Sequence, residues 1–222
     1  KDTRRRARAG AAVAMTLLNL SLVSAALLVA LVFRPWRQLA GGALLSPLLA
    51  ALVITPWLWA LPWLHHMPIQ LQLSGACLVL LALGWPLAVL VFGVVALATG
   101  WIAPVTPAEQ LDMALWLGVV PATLALGLGW ALRRALPHNL FVYILGRAFL
   151  GTAACLFATG ALAQWTGHAL NVAVEPELAL VARWLMAWGD AIMTGMVTAV
   201  CVAFRPQWLA TWSDRLYLHA PK

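Results

Sequence analysis

The run GAAVAMTLLNLSLVSAALLVALVF, residues 10–33, decides the fold. It holds no charged residue over a stretch that rises ~35 Å as an α-helix, enough to cross the ~30 Å hydrocarbon core of a bilayer. Apolar stretches of similar kind recur along the chain, punctuated by Gly, Pro and charge. They predict about seven spans: Gly10–Phe33, Leu39–Leu61, Ile69–Leu83, Pro86–Ala103, Met113–Leu132, Leu140–Trp165 and Leu178–Phe204. The third is short and is followed by the tight turn Gly84-Trp85-Pro86, so a broken or re-entrant hairpin is the alternative there.

Composition agrees. Hydrophobic residues make up 64% of the chain and charged residues 9%, against roughly a quarter charged in a soluble domain. The mean hydropathy is +0.90. The apolar runs are continuous rather than alternating, which excludes β-barrel spans. The expected fold is therefore an all-α, polytopic membrane helical bundle forming one integral-membrane domain over residues 1–222. A basic arm occupies 1–9, and an amphipathic tail over 205–222 is expected to lie on the inner face.

The net charge of +7 belongs to loops and termini and calls for no nucleic-acid partner; the lipid bilayer is the partner it implies. Arg34, Arg37, Arg133, Arg134, Arg205 and Arg215 fall on one side of the spans. Glu109, Asp112, Glu175, Glu177 and the loop with His65 and His66 fall on the other. The positive-inside rule then puts the arginine loops and the C-terminus in the cytoplasm, in a bacterial inner membrane. The basic N-terminal arm resists this: either an upstream helix precedes it or the arm is translocated. Lys1–Arg8 followed by an apolar run is like the start of a signal peptide, but the run is too long and lacks a cleavage site, so a retained span is expected. Trp57, Trp59, Trp63, Trp101 and Trp165 fall near the outer boundary, as an aromatic belt.

Chemistry concentrates in few places. His65-His66-Met67 places borderline and soft ligands in a polar break between spans, which suits a late transition metal, and His168 lies on the same side. The same residues, flanked by Trp63 and Pro68, also read as a headgroup anchor. Within the spans, Arg147 and Asp190 are ionisable, and intramembrane charges normally face the bundle interior and find a partner. An Arg147–Asp190 pair is one reading; a polar pocket of Gln72, Arg147, Asp190 and Thr194 is the other. Cys77, Cys155 and Cys201 form no CxxC pair and read as small packing residues. No Ser-His-carboxylate set, HExxH or phosphate-binding glycine loop occurs, so no catalytic residue and no enzyme activity is expected.

Leu136-Pro137-His138-Asn139-Leu140-Phe141-Val142-Tyr143 resembles the LPxNxFVY stretch of a proteobacterial branch of the CbiM-like proteins, membrane components of energy-coupling factor transporters for cobalt or nickel. Residues 190–196 (DAIMTGM), 204–212 (FRPQWLATW) and 214–218 (DRLYL) resemble that family's later motifs. The resemblance implies a substrate-binding membrane component for cobalt or nickel ions, working with a coupling protein and an ATPase; the His and Met ligands by themselves would also admit copper. The chain departs from the family in lacking an N-terminal Met-His, in Gln72-Leu73-Ser74-Gly75 where the family has HLLG, and in Arg147 and Thr194 where it has Asn. Those departures support the alternative of a non-transporting accessory subunit in a larger inner-membrane complex.

Overall fold

The computed structural model describes residues 2–64, 72–166 and 176–217, and every regular element among them is helical. The long elements are α1 (Asp2–Val32), α3 (Leu45–Leu64), α5 (Trp85–Ile102), α7 (Val120–Ala135), α8 (Gly151–Trp165) and α9 (Pro176–Phe204). The short ones are α2 (Trp36–Leu39), α4 (Ala76–Leu83), α6 (Pro107–Met113) and α10 (Asp214–Tyr217). A π-helical segment, Ala114–Val119, joins α6 to α7, and another, Val142–Leu150, leads into α8. Six stretches among the described residues are long and apolar enough to cross a membrane: Val13–Val32, Leu45–Leu64, Trp85–Ile102, Pro107–Ala135, Val142–Trp165 and Leu180–Phe204. The chain is a multi-pass membrane protein.

The expected third span, Ile69–Leu83, takes a different form. Only α4 within it is helical among the described residues, and its eight residues rise ~12 Å, less than half a bilayer core. Glycine sets both limits. Gly75 enters α4 with φ +65° and Gly84 leaves it with φ +77°, left-handed backbone that side chains with a Cβ avoid. A Cβ at position 84 would make only ordinary contacts, 3.7 Å from Gln38 Oε1 and 3.9 Å from Ala210 Cβ, so the positive φ and not space is what calls for glycine there.

These neighbours fix the direction of α4. Ala210 N donates to Ala82 O at 2.9 Å and Thr211 N to Leu81 O at 3.3 Å. The C-terminal end of α4 therefore sits at the end of the bundle where α9 finishes and the arginine-bearing connections gather. Its N-terminal end points back into the bundle. α4 is a half-helix that stops at mid-depth.

The core around it is apolar. Trp59, Leu80, Leu83, Val89, Phe92 and Val95 are all buried, with Trp59 stacked on Phe92 at 6.2 Å between ring centroids. Trp59 therefore does not belong to the interfacial belt, whereas Trp57, Trp101 and Trp165 are exposed as a belt requires. Leu209, Trp212 and Tyr217 are buried against Tyr143 and Leu81, so the described part of the tail, 205–217, folds back onto the bundle end. The hydroxyls of Tyr143 and Thr211 meet at 2.8 Å and help hold it there.

Candidate functional site

The polar centre of the bundle forms where the half-helix stops. A helix N-terminus leaves backbone N–H groups without intrahelical acceptors, and in a membrane interior no water is at hand to satisfy them. Asp190, fourteen residues before the end of α9 and so ~21 Å deep, supplies the acceptor. Its Oδ2 accepts from Ser74 N at 2.7 Å and from Gly75 N at 3.1 Å, and Oδ1 lies 3.3 Å from Gly75 N. A carboxylate at the positive end of the helix dipole is also favoured electrostatically. The side chain is only 5% exposed.

Ser74 ties the junction to the other helices. Its Oγ donates to Leu117 O at 2.6 Å and accepts from Ala76 N at 3.1 Å. Its carbonyl accepts from Trp59 Nε1 at 2.9 Å. Leu117 O is open to such a donor because Pro121, one turn on, has no N–H to return to that turn, and the local π-helix disturbs the regular ladder. Gln72 completes the set, donating from Nε2 to Trp59 O at 2.9 Å. Four parts of the chain thus meet at one residue: α3, the segment before α4, the α6–α7 span and α9.

Of the residues expected to form one intramembrane pocket, Gln72 and Asp190 share this junction. Thr194 follows one turn along α9 on the same face, and Thr198 one turn further. Both hydroxyls are buried without a hydrogen-bond partner among the described residues. Arg147 stands apart, which corrects the expected Arg147–Asp190 pair: the carboxylate is taken up by the half-helix. Arg147 instead lines a small cavity at the arginine-bearing end with Gly129, Arg133, His138, Tyr143 and Tyr217. Rise along a helix already sets Asp190 well deeper than Arg147, and the structure shows that the two also face different neighbours.

The expected metal ligands His65, His66, Met67 and His168 lie outside the described residues. Among the described residues, no three His, Cys, Asp or Glu side chains group closely enough to hold a metal ion. A polar contact the sequence did not suggest joins α1 to α6: Asn19 Nδ2 donates to Asp112 Oδ1 at 2.6 Å. Thr106 and Glu109 form a capping box at the start of α6, with Thr106 N donating to Glu109 Oε2 at 2.8 Å.

Comparison with family models, with curated proteins and with solved structures gives no match to this chain.

Proposed function

We propose that this chain is the substrate-binding membrane component of a transition-metal uptake transporter of the cobalt/nickel type, on a seven-pass CbiM-like frame in a bacterial inner membrane with its C-terminus in the cytoplasm. The observation that carries this reading is the half-helix α4. Transporters place substrate sites where helices break near mid-membrane, because non-helical backbone is tolerated there only when buried in protein or lining a cavity. Here the break at residues 72–75 follows His65-His66-Met67 within a few residues of sequence and is capped by a carboxylate. Imidazole and thioether at 65–67, with His168, supply ligands suited to cobalt, nickel or copper. No ATP-binding motif is present in the sequence, so an ATPase and a coupling membrane protein are the partners this function requires.

A second reading, a non-transporting accessory subunit of a larger membrane complex, has one specific observation in its favour. Asp190 and Gln72 already spend their hydrogen bonds on the backbone around α4. Purification from native membranes in mild detergent, with mass spectrometry of what accompanies the chain, separates the two. Recovery of an ATPase and a coupling protein, together with cobalt or nickel retention that drops in a His65→Ala/His66→Ala variant, is the expected result. Stoichiometric recovery with a different membrane complex, and no retained metal, overturns the transport reading.

A further inference from the structure

Arg147 has no counterpart in the transport reading. It is 6% exposed, and its Nε, Nη1 and Nη2 atoms form no hydrogen bond of good geometry among the described residues, with Tyr217 set against the guanidinium as a polar neighbour. A buried guanidinium carries five donors and a charge that cannot be shed, so leaving most of them unmet is costly. The surroundings are shaped for it nonetheless. Gly129 on α7 makes room, since a Cβ there would lie 2.6 Å from Nε. The Tyr143 ring lies 5.8 Å from the guanidinium carbon, within cation–π range.

The cavity that Arg147 lines has a volume of about 10 Å³, room for one oxygen atom of water size. Arg133 and His138 line it too, and Arg133 is exposed. No carboxylate is among its lining residues. Leu136 and Phe141, beside the mouth in sequence, are exposed apolar residues at 42% and 72%. Arg147 lies five residues into the span that begins at Val142, hence ~8 Å below that end of the membrane helix. A planar fork of donors, a second cation at the rim and apolar flanks describe a receptor for a planar or tetrahedral oxyanion at a membrane face.

We propose that Arg147 anchors a phosphate-binding subsite that takes one phosphate oxygen into this cavity while the rest of the group stays at the mouth beside Arg133. The phosphodiester of an anionic lipid headgroup and dissolved phosphate share this chemistry. The exposed leucine and phenylalanine beside the mouth suit acyl chains and favour the lipid.

The test uses the full chain, delipidated in detergent, titrated with phosphatidylglycerol and read by native mass spectrometry. One retained phosphatidylglycerol per chain is expected, in preference to phosphatidylcholine. Retention should fall at least about tenfold in Arg147→Gln, the loss of charge-assisted bonds, and less in Arg133→Gln. It should stay unchanged in Arg134→Gln, because Arg134 lies over Trp130 at 5.2 Å and outside the cavity lining. If inorganic phosphate alone raises the thermal midpoint of the wild type, and not that of Arg147→Gln, the ligand is dissolved phosphate and the subsite stands. If neither phosphatidylglycerol nor phosphate distinguishes wild type from Arg147→Gln, the proposal is wrong. Should Arg147→Gln fail to fold, the thermal midpoint of the wild type in phosphatidylglycerol against phosphatidylcholine replaces it, and equal midpoints overturn the proposal.

Discussion

Replacing Asp190 tests the central junction because two physical accounts give opposite signs. In the structure its carboxylate caps α4 by accepting from Ser74 N and Gly75 N, at 2.7 and 3.1 Å to the same oxygen. Asp190→Ala orphans both donors in a water-free interior. Each buried unsatisfied donor costs about 1–3 kcal/mol, so the pair should cost about 2–6 kcal/mol. Asp190→Asn keeps one oxygen where Oδ2 now sits, able to accept from both N–H groups. It loses the charge at the helix N-terminus and turns an amide N–H₂ towards Gly75, for a cost of about 1–2 kcal/mol. The assay is reversible unfolding by SDS in mixed micelles, followed by tryptophan fluorescence, without added metal. Under the capping account the order of stability is wild type, then Asn, then Ala. A carboxylate held in reserve for a cation would instead be relieved by neutralisation. Asp190→Asn would then be more stable than wild type in metal-free conditions, and that result would refute the capping argument.

Three further substitutions probe the packing of the bundle and its tail. A Cβ on Gly118 would lie 2.7 Å from Phe92 Cγ, so Gly118→Ala should lower stability in the same assay by about 1–3 kcal/mol through overpacking. Gly127→Ala, where nothing lies within 4 Å of the added carbon, should be neutral or stabilising by up to about 1 kcal/mol; equal losses at the two positions would mean that helix contacts here are misassigned. Tyr143→Phe removes the hydroxyl that meets Thr211 and should cost about 1 kcal/mol while leaving the aromatic stack of Trp212 and Tyr217 in place. Limited proteolysis should then cut after Arg205 or Arg215 sooner than in wild type, and an unchanged cleavage rate would show that the ring stack and the bonds of Ala210 and Thr211 to α4 hold the tail without it.

Much of the scaffold was legible because lipid imposes one demand, a long apolar helix, that hydropathy reads directly. Pro86–Ala103 was expected and Trp85–Ile102 is observed; Leu140–Trp165 was expected and Val142–Trp165 is observed. Hydropathy fails where a segment is apolar but not continuous. Ile69–Leu83 scores as a span, yet Gly75 and Gly84 adopt left-handed backbone and confine α4 to eight residues. A place near a helix end predicts an interfacial Trp59, while the structure uses its indole as a buried donor to Ser74.

Of the two arrangements the sequence allows for Arg147 and Asp190, the direct pair does not form, for a physical reason. Sequence gives depth along a helix through the rise per residue, but the partner of a charge depends on which face it occupies and on what backbone is left unsatisfied nearby. Asp190 had a claimant that no side-chain pattern reveals: two peptide N–H groups exposed by a helix that stops inside the membrane. Leu117 O is the mirror case, an acceptor opened by Pro121 and met by the hydroxyl of Ser74. In a bilayer every broken helix creates such demands, and neighbouring polar side chains are recruited to meet them before they are available to each other. That ordering explains why the carboxylate is engaged at the half-helix while the guanidinium of Arg147, on a different span, faces a different cavity.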